Sequence, residues 1–148
     1  MLRSILLGLA AGSRAMTPLA AVANAARAGR LPRDSAAPAL LGHPMVAAGS
    51  GALALLELVA DKQDTTGDRI VTPAVVVRTL NAAFAGAMLA PRRRRWAAAA
   101  IAGTTAAAAS YVSWRLRKAA MERHSLATTG LVEDAIVVPA AIAAATAR

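Results

Sequence analysis

The chain has 148 residues, of which 57% are hydrophobic and 17% are charged, with a formal net charge of +9 and no cysteine. Ordinary soluble domains are about 45–50% apolar and about 25% charged, so the composition predicts one integral membrane domain over residues 1–148. The missing cysteines exclude disulfides and thiolate chemistry. The arginines interrupt apolar runs or cluster in short loops, as membrane flanks do, and do not indicate a nucleic-acid partner.

The first predicted helix covers Ser4 to Ala26 and contains one charge, Arg14. Pro18 lacks an N–H and clashes with the carbonyl of Arg14, four residues earlier. Thr17 can cap a new helix, and Pro18 suits its first turn. We therefore predict a helix that is kinked or broken near Pro18, where an arginine beside a helix N-terminus would favour an anion. The alternative is that Arg14 pairs with an acid and fixes helix packing.

Two uncharged runs are the clearest predicted membrane spans, Ser35 to Leu56 and Trp96 to Trp114. A helix of about 20 residues crosses the roughly 30 Å hydrocarbon core. The tryptophans at both ends of the second run match the aromatic belt of membrane interfaces.

Two further predicted helices are less regular. Ile70 to Ala90 is interrupted by Arg78, and the last apolar run, Ala135 to Ala147, follows two acids. That run is long enough to span only when it begins near Thr129, which places both acids at the membrane edge or within it. We predict an all-α polytopic transmembrane helix bundle of five helices, with four as the alternative.

Glu57 directly follows an uncharged run, where an isolated charge costs about 2.5–3.5 kcal/mol on insertion scales. We therefore predict that Glu57 is buried and pairs with Arg14 or Arg78. Asp61 shares its helix face four residues later. For Asp61 the favoured interpretation is a helix end among lipid headgroups.

Other polar residues complete the pattern. Arg78 and Asn81 share one helix face. Glu133 and Asp134 point about 100° apart, so only one can face a given partner squarely, and both also suit a helix N-terminus. Arg14, Arg78, Glu57 and one of Glu133 and Asp134 could form one internal charge network. Such a network is either a structural lock or an ion or proton pathway. The predicted internal polar site comprises Arg14, Thr17, Glu57, Asp61, Arg78, Asn81, Glu133 and Asp134.

The Lys/Arg counts hardly determine the orientation of the chain in the membrane, because the two membrane sides carry almost equal numbers. Weighting the compact loop Arg92 to Arg95 places that loop in the cytoplasm and the N-terminus outside. The start of the chain also resembles a signal peptide, but the charge of Arg14 argues against cleavage.

An acidic motif, formed by Asp61, Asp64 and Asp68, resembles the magnesium signature of intramembrane prenyltransferases. The chain lacks a second such motif, so a solvated acidic loop is the favoured interpretation. His43 and His124 lack metal-ligand spacing. We expect no cofactor, no metal and no catalytic residues.

These residues resemble a family of small bacterial integral membrane proteins, domain-of-unknown-function family 4126. The resemblance covers nearly the whole chain and implies a membrane location without an established activity. In the family pattern prolines follow Asp-Lys, where this chain has Gln63-Asp64, so Asp64 and Asp68 are poor candidates for a shared site. The matching positions are Ala11-Gly12, Arg14, Thr17-Pro18-Leu19, Glu57-Leu-Val-Ala-Asp61-Lys62, Pro73, Arg78 and Glu133-Asp134.

Three functions are compatible with this pattern. The leading hypothesis is a small transporter or channel-like protein of the bacterial cytoplasmic membrane, multi-pass and homo-oligomeric, that passes a small ion or solute. The alternative is a membrane scaffold or assembly factor with structural ion pairs and basic loops that bind membrane lipids. The third is a metal-dependent lipid-modifying enzyme that uses the acidic motif.

Overall fold

The computed structural model describes residues 1–61 and 70–146, and their regular structure is helical. This confirms the predicted all-α class. Two short 3₁₀ turns, Ala39–Gly42 and Arg92–Arg94, precede the third and fifth α-helices. The six α-helices of the described residues are α1 Leu2–Ser13, α2 Thr17–Arg27, α3 Pro44–Ala60, α4 Thr72–Leu89, α5 Arg95–Met121 and α6 Leu126–Thr146.

Prolines set three of the helix starts. Pro18, Pro44 and Pro73 each occupy the first turn of α2, α3 and α4, where their missing N–H has no helical partner to lose. The predicted helix over Ser35 to Leu56 is therefore wrong in its first part. The chain remains extended or 3₁₀ until His43, whose Nδ1 accepts a hydrogen bond from the Met45 amide at 3.3 Å.

The predicted interruption of the first helix is present, but its two halves fold back on each other. Gly8 lies against Thr105 and Gly12 against Ala109, so α1 runs in the same direction as α5. After an extended Arg14 (φ −136°, ψ 111°), α2 returns toward the start of α1, since Pro32 and Met1 line one cavity. The first element is thus a helical hairpin rather than one kinked helix.

Both ends of this hairpin lie on one face of the molecule. Met1 and Pro32 line the same cavity as Arg94, and the Ala36 amide donates to the Ala90 carbonyl at 2.9 Å. We call this the arginine face. The N-terminus was predicted on the side opposite the four-arginine loop, and the hairpin corrects this by returning the chain to the face where it began. The arginine face carries Arg3, Arg27, Arg30, Arg33, Arg92, Arg93, Arg94 and Arg95.

The interior is built mainly from alanine, whereas most leucine, isoleucine and valine side chains are exposed. Helices therefore approach closely. A Cβ added to Gly12 would lie 2.4 Å from the Cβ of Ala109, and one added to Gly86 would lie 2.7 Å from the Cβ of Ala102. Small residues at helix contacts are typical of membrane proteins.

Among the described residues, two helices are long and apolar enough to cross a membrane, α4 and α6. α1 and α3 are apolar but shorter, with 12 and 17 residues. The two clearest predicted spans, Ser35 to Leu56 and Trp96 to Trp114, correspond to α3 and α5. Neither helix is both long and apolar enough to be counted as a candidate span. α5 is the longest helix, with 27 residues, but its alanines are only weakly apolar.

Candidate functional site

The hairpin apex, residues 14–16, lies deep among the other helices. Asp134, which contacts it, is about 12 Å from the start of α6 and about 18 Å from its end at roughly 1.5 Å per residue. Asn81, near the middle of α4, contacts it as well. The turn between two short helices is therefore placed near half the depth of the bundle.

Arg14 is almost fully buried, with 1% of its side chain exposed. Its Nη1 lies 2.7 Å from Oδ2 of Asp61. Its Nε donates to Oδ1 of Asp134 at 2.6 Å, and Nη2 lies 2.5 Å from the same oxygen. Glu133 is more distant, with Oε2 at 3.8 Å from Nη2. Carboxylates from two helices thus neutralise a charge that would be costly if buried alone.

Arg117 joins the same group and was not predicted. Its Nη1 lies 2.7 Å from Oδ2 of Asp61 and 3.0 Å from Oε2 of Glu133. Its Nη2 donates to the Asp61 carbonyl at 3.0 Å. Arg117 lies among other basic residues just after the predicted span that ends at Trp114. Its spacing from the buried Ser110, seven residues earlier on the small-residue face of α5, is the signal that could have found it.

These contacts form a closed ring. Glu133, Arg117, Asp61, Arg14 and Asp134 alternate in sign, and the first and last are neighbours on α6. The ring ties α3, α5 and α6 to the hairpin apex. Asp61 was expected among headgroups, but it is 8% exposed because it is shared by two guanidinium groups.

Glu57 binds the apex differently from the prediction. Its Oε1 accepts a hydrogen bond from the Ala15 amide at 2.6 Å, and its Oε2 accepts one from the Met16 amide at 2.8 Å. It forms no ion pair with Arg14 or Arg78 among the described residues. The N-terminus of a helix attracts anions, so at α2 the protein's own carboxylate occupies the anion position expected for a ligand.

The remaining predicted residues lie on the neighbouring helices. Asn81 donates to the Ala15 carbonyl at 3.4 Å and lies 3.5 Å from the sulfur of Met16. Arg78 is buried on the same helix. The Thr17 hydroxyl is buried without a hydrogen-bond partner in the described part of the chain. All eight predicted residues are at least partly buried. Seven of them lie within or beside the apex, and Arg78 lies about one turn from Asn81 on α4.

A metal site receives no support from the described residues. They contain no group of three metal-ligating side chains placed to hold an ion. Asp61, the first member of the acidic motif, is engaged by arginines. Asp64 and Asp68, its other members, lie outside the described residues.

The geometry defines a class: an all-helical protein whose N-terminal hairpin is anchored by a buried ring of ion pairs. The chain belongs to the family described as Domain of unknown function (DUF4126), whose profile matches residues 1–147. This confirms the resemblance found in the sequence. Comparison with functionally described proteins and with solved structures gives no match.

Proposed function

We propose that this protein is a multi-pass protein of the bacterial cytoplasmic membrane, in which α4 to α6 span the bilayer, α3 reaches from the arginine face to the hairpin apex, and the α1–α2 hairpin is re-entrant. The exposure of the apolar helices supports this. Only 11% of the apolar window of α6 and 33% of that of α4 are buried, whereas the core helix of a soluble protein is mostly buried. An interior of alanine with large apolar side chains on the outside is suited to contact with lipid.

The arginine face faces the cytoplasm in this proposal. Eight arginines lie there, whereas the exposed basic residues at the opposite end of the described structure are Arg115, Lys118 and Arg123. Lys62 and Arg69 lie outside the described residues. The Lys/Arg counts of the two sides no longer nearly tie, because the hairpin places the N-terminus and Arg3 on the arginine face. The positive-inside rule then favours both chain ends in the cytoplasm.

Cysteine labelling tests this placement, and the absence of native cysteine makes it clean. Leu2→Cys and Arg33→Cys should both react with an impermeant maleimide only from the cytoplasmic side. Ser125→Cys, at the opposite end, should react only from outside. Labelling of positions 2 and 33 from opposite sides would replace the re-entrant hairpin by a single span.

Within that membrane the favoured function is a small transporter or channel-like protein. The observation that carries it is the helix break at mid-depth, with backbone groups and charges gathered around it. Non-helical backbone at this depth is tolerated where it is buried in protein or lines a cavity, and broken helices there often form transport sites. Buried ionisable groups point the same way.

The arrangement favours a proton or small cation over an anion. The α2 amides and the Arg14 guanidinium both face carboxylates of the protein itself. Within the described ring, three carboxylates meet two guanidinium groups. A cation can compete for those carboxylates, whereas an anion would have to displace them.

Flux from proteoliposomes tests this function. With an entrapped pH dye and a potassium diffusion potential, the wild-type protein should carry protons or monovalent cations faster than protein-free vesicles. Asp134→Asn should lower that flux at least tenfold while the protein remains folded. Glu122→Gln, an acid-to-amide change at an exposed position, should leave it unchanged. Absence of flux from the wild-type protein would contradict the proposal.

A second candidate, a membrane scaffold or assembly factor, is favoured by the closure of the ring. Arg14 is 1% exposed and bound on two sides, as in a structural lock. Under this function Arg117→Met and Glu133→Gln should each destabilise the protein, and the double variant should recover at least half of the loss. Recovery together with absent flux would establish the lock.

A further inference from the structure

A groove between α2, α3 and α6 is separate from the ion-pair ring. Its volume is about 520 Å³. The walls are mainly apolar, and they combine small residues of α2 with larger ones of the two neighbouring helices. Thr17, Ala28, Arg30 and Gly51 are among the residues that line it.

The length of the groove matches one half of a bilayer. It follows α2 from Thr17 at the hairpin apex to Ala28 at the arginine face, a distance of about 17 Å at roughly 1.5 Å per residue. The hydrocarbon core is roughly 30 Å thick. In the re-entrant arrangement the groove therefore extends through one leaflet, from the headgroup level to the middle of the membrane.

The two ends of the groove differ in charge. Arg30 lines the outer end and is exposed, and Arg27 and Arg33 flank it along the chain. The inner end is closed by the uncharged Thr17. A guanidinium group binds phosphate well, so the groove has the polarity of an amphiphile with an anionic head.

An extended acyl chain is narrow and can follow a groove of this length along α2. The guanidinium of Arg30 lies at the outer end, where the anionic head of such a chain would be. We propose that the groove holds one acyl chain of an anionic phospholipid of the cytoplasmic leaflet, whose phosphate binds Arg30. This inference rests on the proposed membrane placement but not on transport.

Two glycines of α3 provide a matched pair of variants. Gly51 lines the groove and Gly49 does not. A Cβ added at either position meets nothing within 4 Å among the described residues. Gly51→Leu should therefore fill the groove without disturbing the backbone, while Gly49→Leu adds the same side chain on the exposed side of the same helix.

Native mass spectrometry of protein purified from vesicles of phosphatidylglycerol and phosphatidylcholine measures the occupant. The wild-type protein and Gly49→Leu should retain one phosphatidylglycerol, and Gly51→Leu should lower its occupancy at least tenfold. Arg30→Gln should abolish the preference for phosphatidylglycerol, whereas Arg92→Gln, outside the groove, should keep it. Equal retention by the two leucine variants would overturn the proposal, as would a change in oligomeric state caused by Gly51→Leu alone.

Flotation with vesicles before the measurement separates the two proposals. Protein that does not float refutes the membrane placement itself. Protein that floats but shows no difference between Gly51→Leu and Gly49→Leu refutes only the lipid groove.

Discussion

Along α1 the contacts with α5 are made by small residues, whereas the apex directly after α1 is held to α3 and α6 by charged side chains. Gly12 lies so close to Ala109 that an added Cβ would overlap it. Two residues later, Arg14 is held by carboxylates at 2.5–2.7 Å. The two regions are neighbours, yet they depend on different properties of the side chains.

The difference determines which substitutions each region tolerates. A close contact between small residues is damaged by added volume, because backbone cannot move away without shifting a whole helix. An ion-pair ring is damaged by the loss of one partner, because the remaining charge stays buried and uncompensated. Removal of an entire pair is less harmful than removal of half of it.

Loss of the central charge should have the largest effect. Arg14→Ala removes the guanidinium that Asp61 and Asp134 share and leaves their negative charge less compensated, so we expect a loss of about 3–5 kcal/mol in the free energy of unfolding. Denaturant unfolding in detergent measures it. Arg115→Ala, at an exposed position of α5, is the control and should change stability little. Equal effects of the two variants would show that the ring does not hold the apex.

Added volume at the close contact comes next. Gly12→Ala places a Cβ 2.4 Å from that of Ala109 and 2.7 Å from its carbonyl carbon, so we expect a loss of about 1–3 kcal/mol. Gly49→Ala, on an open helix surface, should instead gain about 0.5–1 kcal/mol from reduced backbone freedom. The opposite signs, measured by the same unfolding assay, are the result that matters. A stabilising Gly12→Ala would contradict the parallel packing of α1 on α5.

The Glu57 contact is intermediate between the two regions, since it joins a charge to backbone amides. Glu57→Gln retains one acceptor oxygen and leaves one buried amide unpaired, which we expect to cost about 1–3 kcal/mol. Hydrogen exchange of the Ala15 and Met16 amides should become faster in this variant. Unchanged protection of both amides would rule out Glu57 as the anchor of α2.

The smallest effect is expected at Asn81. Its hydrogen bond to the Ala15 carbonyl is long, at 3.4 Å, so Asn81→Ala should cost no more than about 0.5–1.5 kcal/mol. The same unfolding assay measures it beside Arg14→Ala. A loss as large as that of Arg14→Ala would mean that the apex is held from α4 rather than by the ring.

The break at Pro18 and the all-helical class could be predicted from the sequence because proline acts locally. The return of α2 could not, because a broken helix can continue or reverse and only its packing against α3 and α6 decides. Glu57 illustrates the same limit. Burial was predicted from the cost of an isolated charge beside an apolar run, and Glu57 is partly buried. Its choice of backbone amides over a guanidinium depends on where the hairpin ends.

Arg117 was missed for a related reason. Composition alone cannot distinguish one arginine on the buried face of a helix from the solvated basic residues next to it in the sequence. Only the helical phase relative to Ser110 separates it from Arg115 and Lys118. Periodicity carried through a charged segment, rather than stopped at its first charge, would have identified it.

The ring also has a consequence for biosynthesis. Arg14 and Asp134 are separated by 120 residues, so about 6–24 s pass between their synthesis at roughly 5–20 residues per second. During that interval Asp61 has already been made, but Arg14 still lacks the carboxylate of Asp134. The hairpin apex therefore completes its contacts only after α6 has been made, and a chain truncated before α6 should keep Arg14 more accessible to solvent and to quality-control proteases.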